Sequence, residues 1–248
     1  MYADSLYTNM AGLQAISAKM QAIASNIANA QTPGYEAVQA VTQAQFYQGS
    51  NAPVGADAML ETLNPDATPG PIKETGDPLD VAVSGNAWLQ VQTPDGGVAL
   101  TRDGSLAISS AGLLTNSSGD PILDVNGTPI SVPPLSKLEI GSDGTISGIL
   151  ANGGTQDAKV LGRIGLVATP TGKISALGNS LYQPPAGEAL APATGGALHQ
   201  GYLNGSNVNP TEAMMEMIDG SRSYEMQTEM LKSQSNASQD LNSLLAQG

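Results

Sequence analysis

Residues 6–34 read LYTNMAGLQAISAKMQAIASNIANAQTPG, and this stretch decides the fold of the N-terminal region. Its apolar side chains recur at alternating steps of three and four residues, which is the spacing of one stripe along an α-helix. The stripe consists of Leu6, Met10, Leu13, Ile16, Met20, Ile23 and Ile27. Thr32-Pro33-Gly34 then ends the pattern, because proline supplies no helical N–H and glycine tolerates a left-handed turn. We predict an N-terminal helix within residues 1–32.

The flanks of this predicted helix have almost no charge. Asp4 and Lys19 are the only charged side chains before residue 31. A helix face that lies in water usually bears ion pairs, so small uncharged flanks favour packing on more than one side. Every second member of the stripe also repeats at seven residues, which favours a helix–helix seam. An ordinary core helix explains the periodicity equally well.

Residues 33–76 show little periodicity. Proline and glycine interrupt any regular element at Asn64-Pro65 and at Thr68-Pro69-Gly70-Pro71. We predict an extended connector here, with room for one hairpin.

From residue 77 to residue 185 the sequence changes to short runs typical of β-strands. Examples are LDVAV at 79–83, WLQVQ at 88–92 and KLEI at 137–140. Turn signals such as Asp95-Gly96 and Asn126-Gly127 lie between the runs. Strands and turns alternate every 8 to 12 residues, roughly the spacing of an all-β domain. No segment has the length of a crossover helix, so we predict an antiparallel all-β domain.

Residues 186–205 form a predicted return linker rich in glycine, proline and alanine, and a second helical pattern follows. Asn209-Pro210-Thr211-Glu212 combines a capping side chain, a proline at the first helical position and an acid at the third, which is typical of a helix start. A seven-residue grid then contains Met217, Tyr224, Leu231 and Leu245. We predict a C-terminal helix within residues 206–248.

Together these elements predict an α+β fold in which long N- and C-terminal helices pair as a coiled coil. Residues 1–32 are expected to pair with residues 206–248. The central antiparallel all-β domain and the extended connector lie between them in the chain. Helices of this kind depend mainly on partners for their stability.

The composition excludes several classes of function. The chain has 248 residues and a net charge of −13, which repels phosphate and argues against a nucleic-acid partner. It contains no cysteine and one histidine, His199, so disulfide frameworks, thiol redox motifs and the usual Cys/His zinc sites are excluded.

The sequence also bears on the membrane and on export. No segment has the roughly 18 apolar residues that cross a bilayer, so direct membrane insertion is not expected. The first seven residues contain Asp4 and no basic side chain, unlike a cleaved secretory signal. We therefore expect a protein that is either cytoplasmic or exported without cleavage of its N-terminus.

A search for catalytic chemistry finds weak candidates. The sequence has no phosphate-binding loop, no dinucleotide fingerprint and no nucleophile elbow, and we expect no cofactor and no metal. Asp77 with Asp80, and Asp120 with Asp124, are pairs that acid–base chemistry could use, but both suit turn capping better. We expect a non-enzymatic structural protein. The alternatives are a periplasmic cell-wall polysaccharide hydrolase and a binding module with a coiled stalk.

Three segments together show a family resemblance. SNIANAQTPGY at 25–35 resembles the motif that closes the N-terminal helix of flagellar rod and hook proteins. GYLNGSNVN at 201–209, followed by Met217-Ile218, Arg222 and Tyr224-Glu225-Met226, resembles their C-terminal motif. PLDVAV at 78–83, WLQV at 88–91 and TRDGS at 101–105 resemble the start of the rod proteins' β domain.

Two details refine the resemblance. The chain length, residues 78–83 and Glu225-Met226-Gln227 are most similar to the proximal rod branch of the family, with the distal rod branch second. Asn204-Gly205 departs from the family, which commonly has an acid just before the Ser-Asn-Val sequence.

The resemblance implies a structural subunit of the bacterial flagellar basal-body rod. Such a subunit is exported unfolded by the flagellar type III apparatus, without signal cleavage, and polymerises in the periplasm. The implied partners are further copies of the chain and other flagellar rod proteins in a helical assembly. The terminal helices would form a tube around the export channel, and the tube would transmit torque as a drive shaft.

The apolar stripes and the two helix-end motifs predict the assembly interface. Its expected N-terminal residues are Leu6, Leu13, Ile16, Met20, Ile23, Asn26, Ile27, Asn29, Thr32, Gly34 and Tyr35. Its expected C-terminal residues are Ser206, Asn207, Val208, Asn209, Met214, Met217, Ile218, Arg222, Tyr224, Leu231 and Leu245.

Overall fold

A computed structural model describes residues 2–47, 55–66, 68–150, 158–168, 174–185, 190–193 and 198–245. One helix lies near each end of the chain, α1 at Tyr2–Ala28 and α2 at Pro210–Leu245. Short strands form most of the regular structure between them. In chain order these are β1 Val38–Tyr47, β2 Gly55–Pro65, β3 Ile72–Glu74, β4 Val81–Val83, β5 Ala87–Gln92, β6 Val98–Thr101, β7 Ala107–Ile108, β8 Leu114–Thr115, β9 Leu135–Ile140, β10 Thr145–Leu150, β11 Ala158–Arg163, β12 Leu166–Ala168, β13 Ser175–Gly178, β14 Leu181–Gln183, β15 Ala191–Pro192, β16 Leu198–Gln200 and β17 Tyr202–Asn204.

The chain divides into two compact units. The helical unit comprises Met1–Ile27, Val38–Leu63 and Asn209–Gly248. The β unit comprises Ala28–Ala37 and Asn64–Val208. Residues 29–37, which follow α1, therefore belong to the β unit. Residues 38–63, which come next in the chain, belong to the helical unit.

The largest sheet of the β unit has six strands in the order β13-β14-β6-β5-β12-β15. Its central strand β5 is hydrogen-bonded on both sides, with Leu89 opposite Thr101 of β6 and opposite Leu166 of β12. Successive side chains of a strand point to opposite faces, so β5 supplies both hydrophobic clusters of the unit. Leu89 belongs to the larger cluster and Trp88 to the smaller one.

The remaining strands of the β unit form smaller antiparallel arrangements. The strands β11, β10 and β9 make a three-stranded sheet, and β16 pairs with β4 while β17 pairs with β3. The last two pairings attach the end of the β unit to its beginning. Residues 198–204 therefore return to the strands that open the unit.

The predicted coiled coil is wrong. Within the described residues, α1 and α2 do not come together along a continuous apolar seam. Their contacts are separate and partly polar: Asn9 Nδ2 donates to Gln234 Oε1 at 2.7 Å, Gln227 Nε2 donates to Asn9 Oδ1 at 3.2 Å, and Met20 lies against Gly220. Met214 and Ile218 of α2 are more than half exposed, at 53% and 54%.

The physical reason lies in the composition of α2. A coiled coil needs apolar side chains at two positions of each seven-residue repeat. The grid of Met217, Tyr224 and Leu231 fills one of these positions, but the other holds Ala213, Gly220, Gln227 and Gln234. Small and polar residues there replace the expected apolar seam with hydrogen bonds. The fold that the structure supports has one helix at each end and a largely β region between them.

The extended connector of the predicted fold class is also incorrect in part. The strands β1 and β2 lie within residues 33–76 and form a two-stranded sheet of their own, which belongs to the helical unit. The strand β3 follows and pairs with β17. The connector therefore contains two strands paired with each other and a third strand paired with β17, rather than extended chain alone.

The helix termini follow local signals. Asn209 Oδ1 accepts hydrogen bonds from the backbone N–H groups of Thr211 at 3.2 Å and Glu212 at 3.4 Å, so it caps α2. Pro210 is the first helical residue, as the sequence predicts. Neither described helix is long and apolar enough to cross a membrane.

Candidate functional site

The segment that follows α1, residues 29–37, lies in the β unit, and we call it the entry strap. It begins with a hydrogen-bonded turn. The Thr32 backbone N–H donates to the Asn29 carbonyl oxygen at 3.1 Å, and the Thr32 hydroxyl donates to Asn29 Oδ1 at 3.1 Å. Asn29 and Thr32, two residues of the predicted interface, therefore form the turn that follows α1.

Gly34 lies where the entry strap passes closest to the end of β6. Its φ is +65°, and a Cβ atom built on it would lie 2.2 Å from the carbonyl carbon of Arg102. Its N–H donates to the Asn204 carbonyl oxygen at 2.9 Å. The position needs both a left-handed backbone and the absence of a side chain, and only glycine supplies both.

A buried ion pair follows in the strap. Glu36 Oε1 lies 2.8 Å from Arg102 Nη1, and each side chain is only 2% exposed. The contact lacks the alignment of a hydrogen bond, since neither Glu36 carboxylate oxygen accepts one from any described residue. Arg102 Nη2 donates to the Gly85 carbonyl oxygen at 3.3 Å. We therefore describe the Glu36–Arg102 contact as an ion pair.

Two aromatic side chains complete this buried cluster of Glu36, Trp88, Arg102 and Tyr182. The guanidinium carbon of Arg102 lies 4.5 Å from the Trp88 ring centroid, within the range of a cation–π contact. The rings of Trp88 and Tyr182 meet edge to face with centroids 5.1 Å apart. Tyr182 Oη accepts a hydrogen bond from the Glu36 backbone N–H at 2.8 Å. The cluster therefore fixes both the backbone and the side chain of Glu36.

Burial controls the ionisation of the cluster. Desolvation raises the pKa of Glu36 from 4.5 to about 8, although Arg102 favours the charged carboxylate and Asp66 disfavours it. Desolvation likewise lowers the pKa of Arg102 and raises the pKa of Tyr182. The absence of hydrogen bonds to the Glu36 carboxylate, within the part of the chain that is described, explains why the attraction of one guanidinium does not offset its burial.

The buried side chain of Asn204 attaches residues 198–208, which we call the return segment, to Val83 of β4. Asn204 is 1% exposed, its Oδ1 accepts a hydrogen bond from the Val83 N–H at 2.6 Å, and its Nδ2 donates to the Val83 carbonyl oxygen at 3.0 Å. An amide can make both bonds at once, whereas a carboxylate can only accept. Asn204 stands where the family resemblance leads us to expect an acid, and its amide bonds both backbone groups of Val83.

Asn207 joins the return segment to the entry strap. Its Oδ1 accepts a hydrogen bond from the Ala37 N–H at 2.6 Å, and its backbone N–H donates to the Tyr35 carbonyl oxygen at 3.3 Å. Its Nδ2 donates to the carbonyl oxygens of Asp66 at 2.9 Å and Thr68 at 2.8 Å. One side chain therefore holds together three segments that are distant in sequence.

A third asparagine makes the corresponding contact in the helical unit. Asn26 Oδ1 accepts a hydrogen bond from the Val38 N–H at 2.8 Å, and Asn26 Nδ2 donates to the Val38 carbonyl oxygen at 3.0 Å. The Asn26 and Asn204 amides thus bond the backbone N–H and carbonyl groups that a neighbouring strand would otherwise bond. These two asparagines lie within the two family-like motifs.

The structure places the remaining predicted interface residues as follows. In α1, Ile23 is buried, whereas Leu13, Ile16, Met20 and Ile27 are half-buried. In α2, Met214, Ile218, Arg222 and Tyr224 are exposed, whereas Met217 and Leu231 are half-buried. Outside the helices, Tyr35 is buried within the β unit, and Ser206 and Val208 are half-buried. The side chains of Leu6 and Leu245 lie outside the described residues. A role of these residues in assembly stays a prediction.

Sequence reasoning assigned no role to Glu36, Arg102 or Tyr182. The available signal was the position of Glu36 directly after the helix-closing motif, together with the arginine of the TRDGS motif in a chain that has few basic residues. Neither signal reveals that the two side chains are partners. Their pairing depends on how the strap crosses the sheet.

The acidic pairs and His199 show no catalytic arrangement among the described residues. Asp77 Oδ1 accepts a hydrogen bond from the Leu79 N–H at 2.9 Å, and Asp124 Oδ1 accepts from the N–H groups of Asn126 and Thr128, each at 2.8 Å. These carboxylates cap turns, as the sequence predicts. His199 is exposed on β16, and the described residues contain no group of three metal-ligating side chains.

Comparison with known families places all three motif regions in one kind of protein. Residues 6–35 match the family model "Flagella basal body rod protein", which covers α1 and most of the entry strap. Residues 82–148 match "Flagellar hook protein FlgE/F/G D1 domain" in the β unit. Residues 199–244 match "Flagellar basal body rod FlgEFG protein C-terminal", which covers the return segment and α2.

Whole-chain relatives agree with these matches. The chain is 33% identical over 235 residues to the flagellar basal-body rod protein FlgF of Salmonella typhimurium, covering 92% of this chain and 93% of that protein. It is 32% identical to the FlgF protein of Escherichia coli K12, covering 98% of both. It is also 32% identical to the FlgG rod protein of Buchnera aphidicola from Acyrthosiphon pisum, covering 97% of this chain and 99% of that protein. The chain belongs to the flagellar basal-body rod protein family.

Proposed function

We propose that this structural subunit of the flagellar rod polymerises through its terminal helices into the tubular drive shaft. The tube would surround the export channel and transmit torque. Membership of the rod family supports assembly with other rod proteins in the basal body. We further propose that the flagellar type III apparatus exports the chain without signal cleavage and that assembly takes place in the periplasm.

The observation that carries this proposal is the concentration of exposed apolar side chains on one helix. The β unit packs two hydrophobic clusters and ties down its strap through Asn204 and Asn207, and its exposed apolar side chains, such as Val125 and Val160, are scattered over separate turns and strands. The helix α2 instead exposes Met214, Ile218 and Tyr224 by 53%, 54% and 41%. Large apolar side chains at this exposure favour a helix that further subunits cover in the assembly.

The charge on α2 supports the same interpretation. Exposed apolar residues on this helix alternate with acids such as Glu216 and Glu225 and with Arg222. No single apolar stripe therefore exists for one partner helix. A helix that mixes apolar and charged side chains on its open sides suits several neighbours, as in a helical polymer whose contacts do not close.

A substitution on α2 tests the proposal. Ile218→Asp is expected to abolish rod formation and motility in cells that lack the native gene, because a charge would replace an apolar contact in every subunit. Ser233→Asp adds the same charge at an exposed polar position of the same helix and is the matched control. Basal bodies isolated from both strains would be compared by immunoblotting and electron microscopy. Normal rods with Ile218→Asp would contradict the proposal.

An enzymatic function is not supported. One member of each acidic pair on which a polysaccharide hydrolase would depend, Asp77 and Asp124, caps a turn, and the relatives are named as rod proteins. We propose that the chain has no catalytic role.

A further inference from the structure

Methionine is concentrated on one helix of this protein. Five of the nine methionines in the chain lie between residues 214 and 230. Met215, Met226 and Met230 are 57%, 67% and 58% exposed. Met217 of the same helix is half-buried and so is Met20 of α1. The helical unit therefore contains both accessible and protected thioethers.

Of the five methionines of α2, the three most exposed lie on one side of the helix. Met215 and Met226 are eleven residues apart, which is about three helical turns, with an angular offset of only about 20°. Met230 follows Met226 by about one turn. We call these three residues the thioether row. The row extends over about 22 Å of the helix axis, at 1.5 Å per residue, with Met215 at one end and Met226 and Met230 at the other.

We propose that the thioether row is a redox-sensitive modification site at which hydrogen peroxide blocks incorporation of the subunit into the rod. This inference rests on the proposed function, since it requires other subunits to cover α2. In the reaction the peroxide O–O bond breaks and an S–O bond forms on the methionine sulfur. The second peroxide oxygen leaves as water, so sulfur loses two electrons and peroxide gains them.

The chemistry of the sulfoxide explains the expected block. A thioether is flexible and apolar and adapts to irregular neighbours, whereas a sulfoxide is polar and chiral. Burying its oxygen without a hydrogen bond has the cost of any buried unpaired polar group. Three sulfoxides in the thioether row would multiply this cost in each subunit. Methionine sulfoxide reductases reverse the modification, so the site would be recoverable before assembly.

The exposure pattern predicts which sulfur atoms react first. Purified full-length chain would be treated with dilute hydrogen peroxide, quenched at intervals and analysed by peptide mass spectrometry. We expect Met215, Met226 and Met230 to gain oxygen several-fold faster than Met217 and Met20. Equal rates at all five methionines, or protection of the row, would overturn the assignment.

Variants in cells separate the modification from the proposed function. A strain without the native gene would receive the wild type, the triple variant Met215→Leu/Met226→Leu/Met230→Leu, or the matched triple variant to Gln. Leucine is apolar and cannot be oxidised in this way, whereas glutamine approximates the polarity of the sulfoxide. Because the row is proposed to lie in subunit contacts, each variant is compared with its own untreated cells, and we expect the glutamine variant to lose motility.

Peroxide treatment then completes the test. After brief exposure to peroxide during rod assembly, we expect fewer new rods with the wild type than with the leucine variant. A swimming glutamine variant, or equal peroxide sensitivity of the wild type and the leucine variant, would overturn the inference. Failure of the untreated wild type to enter rods would instead contradict the proposed function.

Discussion

Glu36 Oε1 and Arg102 Nη1 lie 2.8 Å apart in a part of the β unit where both side chains are only 2% exposed. The pair joins the entry strap to the end of β6. Removing two charges from water is costly, and the attraction between them seldom repays the cost in full. The pair is therefore a source of specificity for the path of the strap, and it makes the stability of the β unit dependent on pH.

The first prediction concerns the pH dependence of Glu36. Burial raises the pKa of Glu36 from 4.5 to about 8, so between these values the folded chain holds a proton that the unfolded chain has released. The contribution of Glu36 to stability is fully present below pH 4.5 and is lost as the pH rises to about 8. Glu36→Gln removes this dependence.

The measurement is the free energy of unfolding of both proteins between pH 5 and pH 8.5, obtained by urea denaturation. The variant is expected to gain stability relative to the wild type as the pH rises, by up to about 1.4 kcal/mol per pH unit. Titrating groups that do not interact with Glu36 cancel in the difference. A difference that stays flat over this range would show that Glu36 is charged throughout.

The second prediction tests the partner of Glu36. Arg102→Met removes the guanidinium beside the Glu36 carboxyl, and at pH 8.5, where that carboxyl is largely charged, the variant is expected to lower the free energy of unfolding by about 3–5 kcal/mol. Lys137→Met is the matched control, because Lys137 pairs with Glu139 at 2.6 Å on the surface, with side chains 64% and 59% exposed. The control should cost less than about 1 kcal/mol. Equal losses in the two variants would contradict the assigned difference between the pairs.

The third prediction concerns Gly34 in the helix-closing motif. Gly34→Ala would place a Cβ atom 2.2 Å from the Arg102 backbone, at a φ of +65°. Gly76→Ala is the matched control, since Gly76 has a φ of +74° but no atom within 4 Å of the added Cβ. The control isolates the left-handed backbone cost, roughly 1–2 kcal/mol. Thermal unfolding of the β unit should show a clearly larger loss for Gly34→Ala, and similar losses would mean that the strap relaxes without cost.

Several features of this fold could be predicted from the sequence, because their causes are local. The cap at Asn209 and the start of α2 at Pro210 depend on a few consecutive residues. Short β-type runs between turn signals likewise indicate a β region. The coiled coil was predicted from one seven-residue grid on each helix, and the prediction failed because Gly220 and Gln227 of α2 occupy the position that completes the seam.

The buried cluster illustrates what the sequence could not reveal. Trp88, Arg102 and Tyr182 lie on three different strands or their ends, and Glu36 lies outside the sheet altogether. Their contacts follow from sheet order and from the course of the strap. A buried glutamate has no local sequence signature, because the same residue type is usually exposed.

The fourth prediction concerns the residue that departs from the family pattern. Asn204→Asp replaces the Nδ2 donor to the Val83 carbonyl oxygen by an acceptor, so a buried acceptor loses its partner. The expected loss in the free energy of unfolding is about 1–3 kcal/mol. Asn209→Asp is the control, because aspartate caps a helix as well as asparagine does. Unchanged stability in Asn204→Asp would show that the β unit accommodates an acid at this position without the amide contact.

The last prediction concerns Met20, which is half-buried and lies against α2. Its Cγ is 3.1 Å from the position that a Cβ atom would take on Gly220, so the absence of a side chain at Gly220 leaves room for it. A charge at Met20 would face this contact and the apolar stripe of α1. Met20→Asp is therefore expected to disrupt the helical unit, since a buried unpaired charge costs several kcal/mol. The β unit has its own core, so its thermal unfolding should remain unchanged.

Rod formation provides the functional measurement for Met20→Asp. Because the helices are proposed to build the tube, the variant should abolish rods and motility, with the subunit still produced at normal levels. Gln14→Asp, at an exposed position of the same helix, should be mild if that side faces solvent. Equal damage from Gln14→Asp would indicate that α1 is covered on two sides in the rod, as its uncharged flanks suggest. Normal rods and swimming with Met20→Asp would contradict the proposal that the apolar stripe of α1 holds the assembly together.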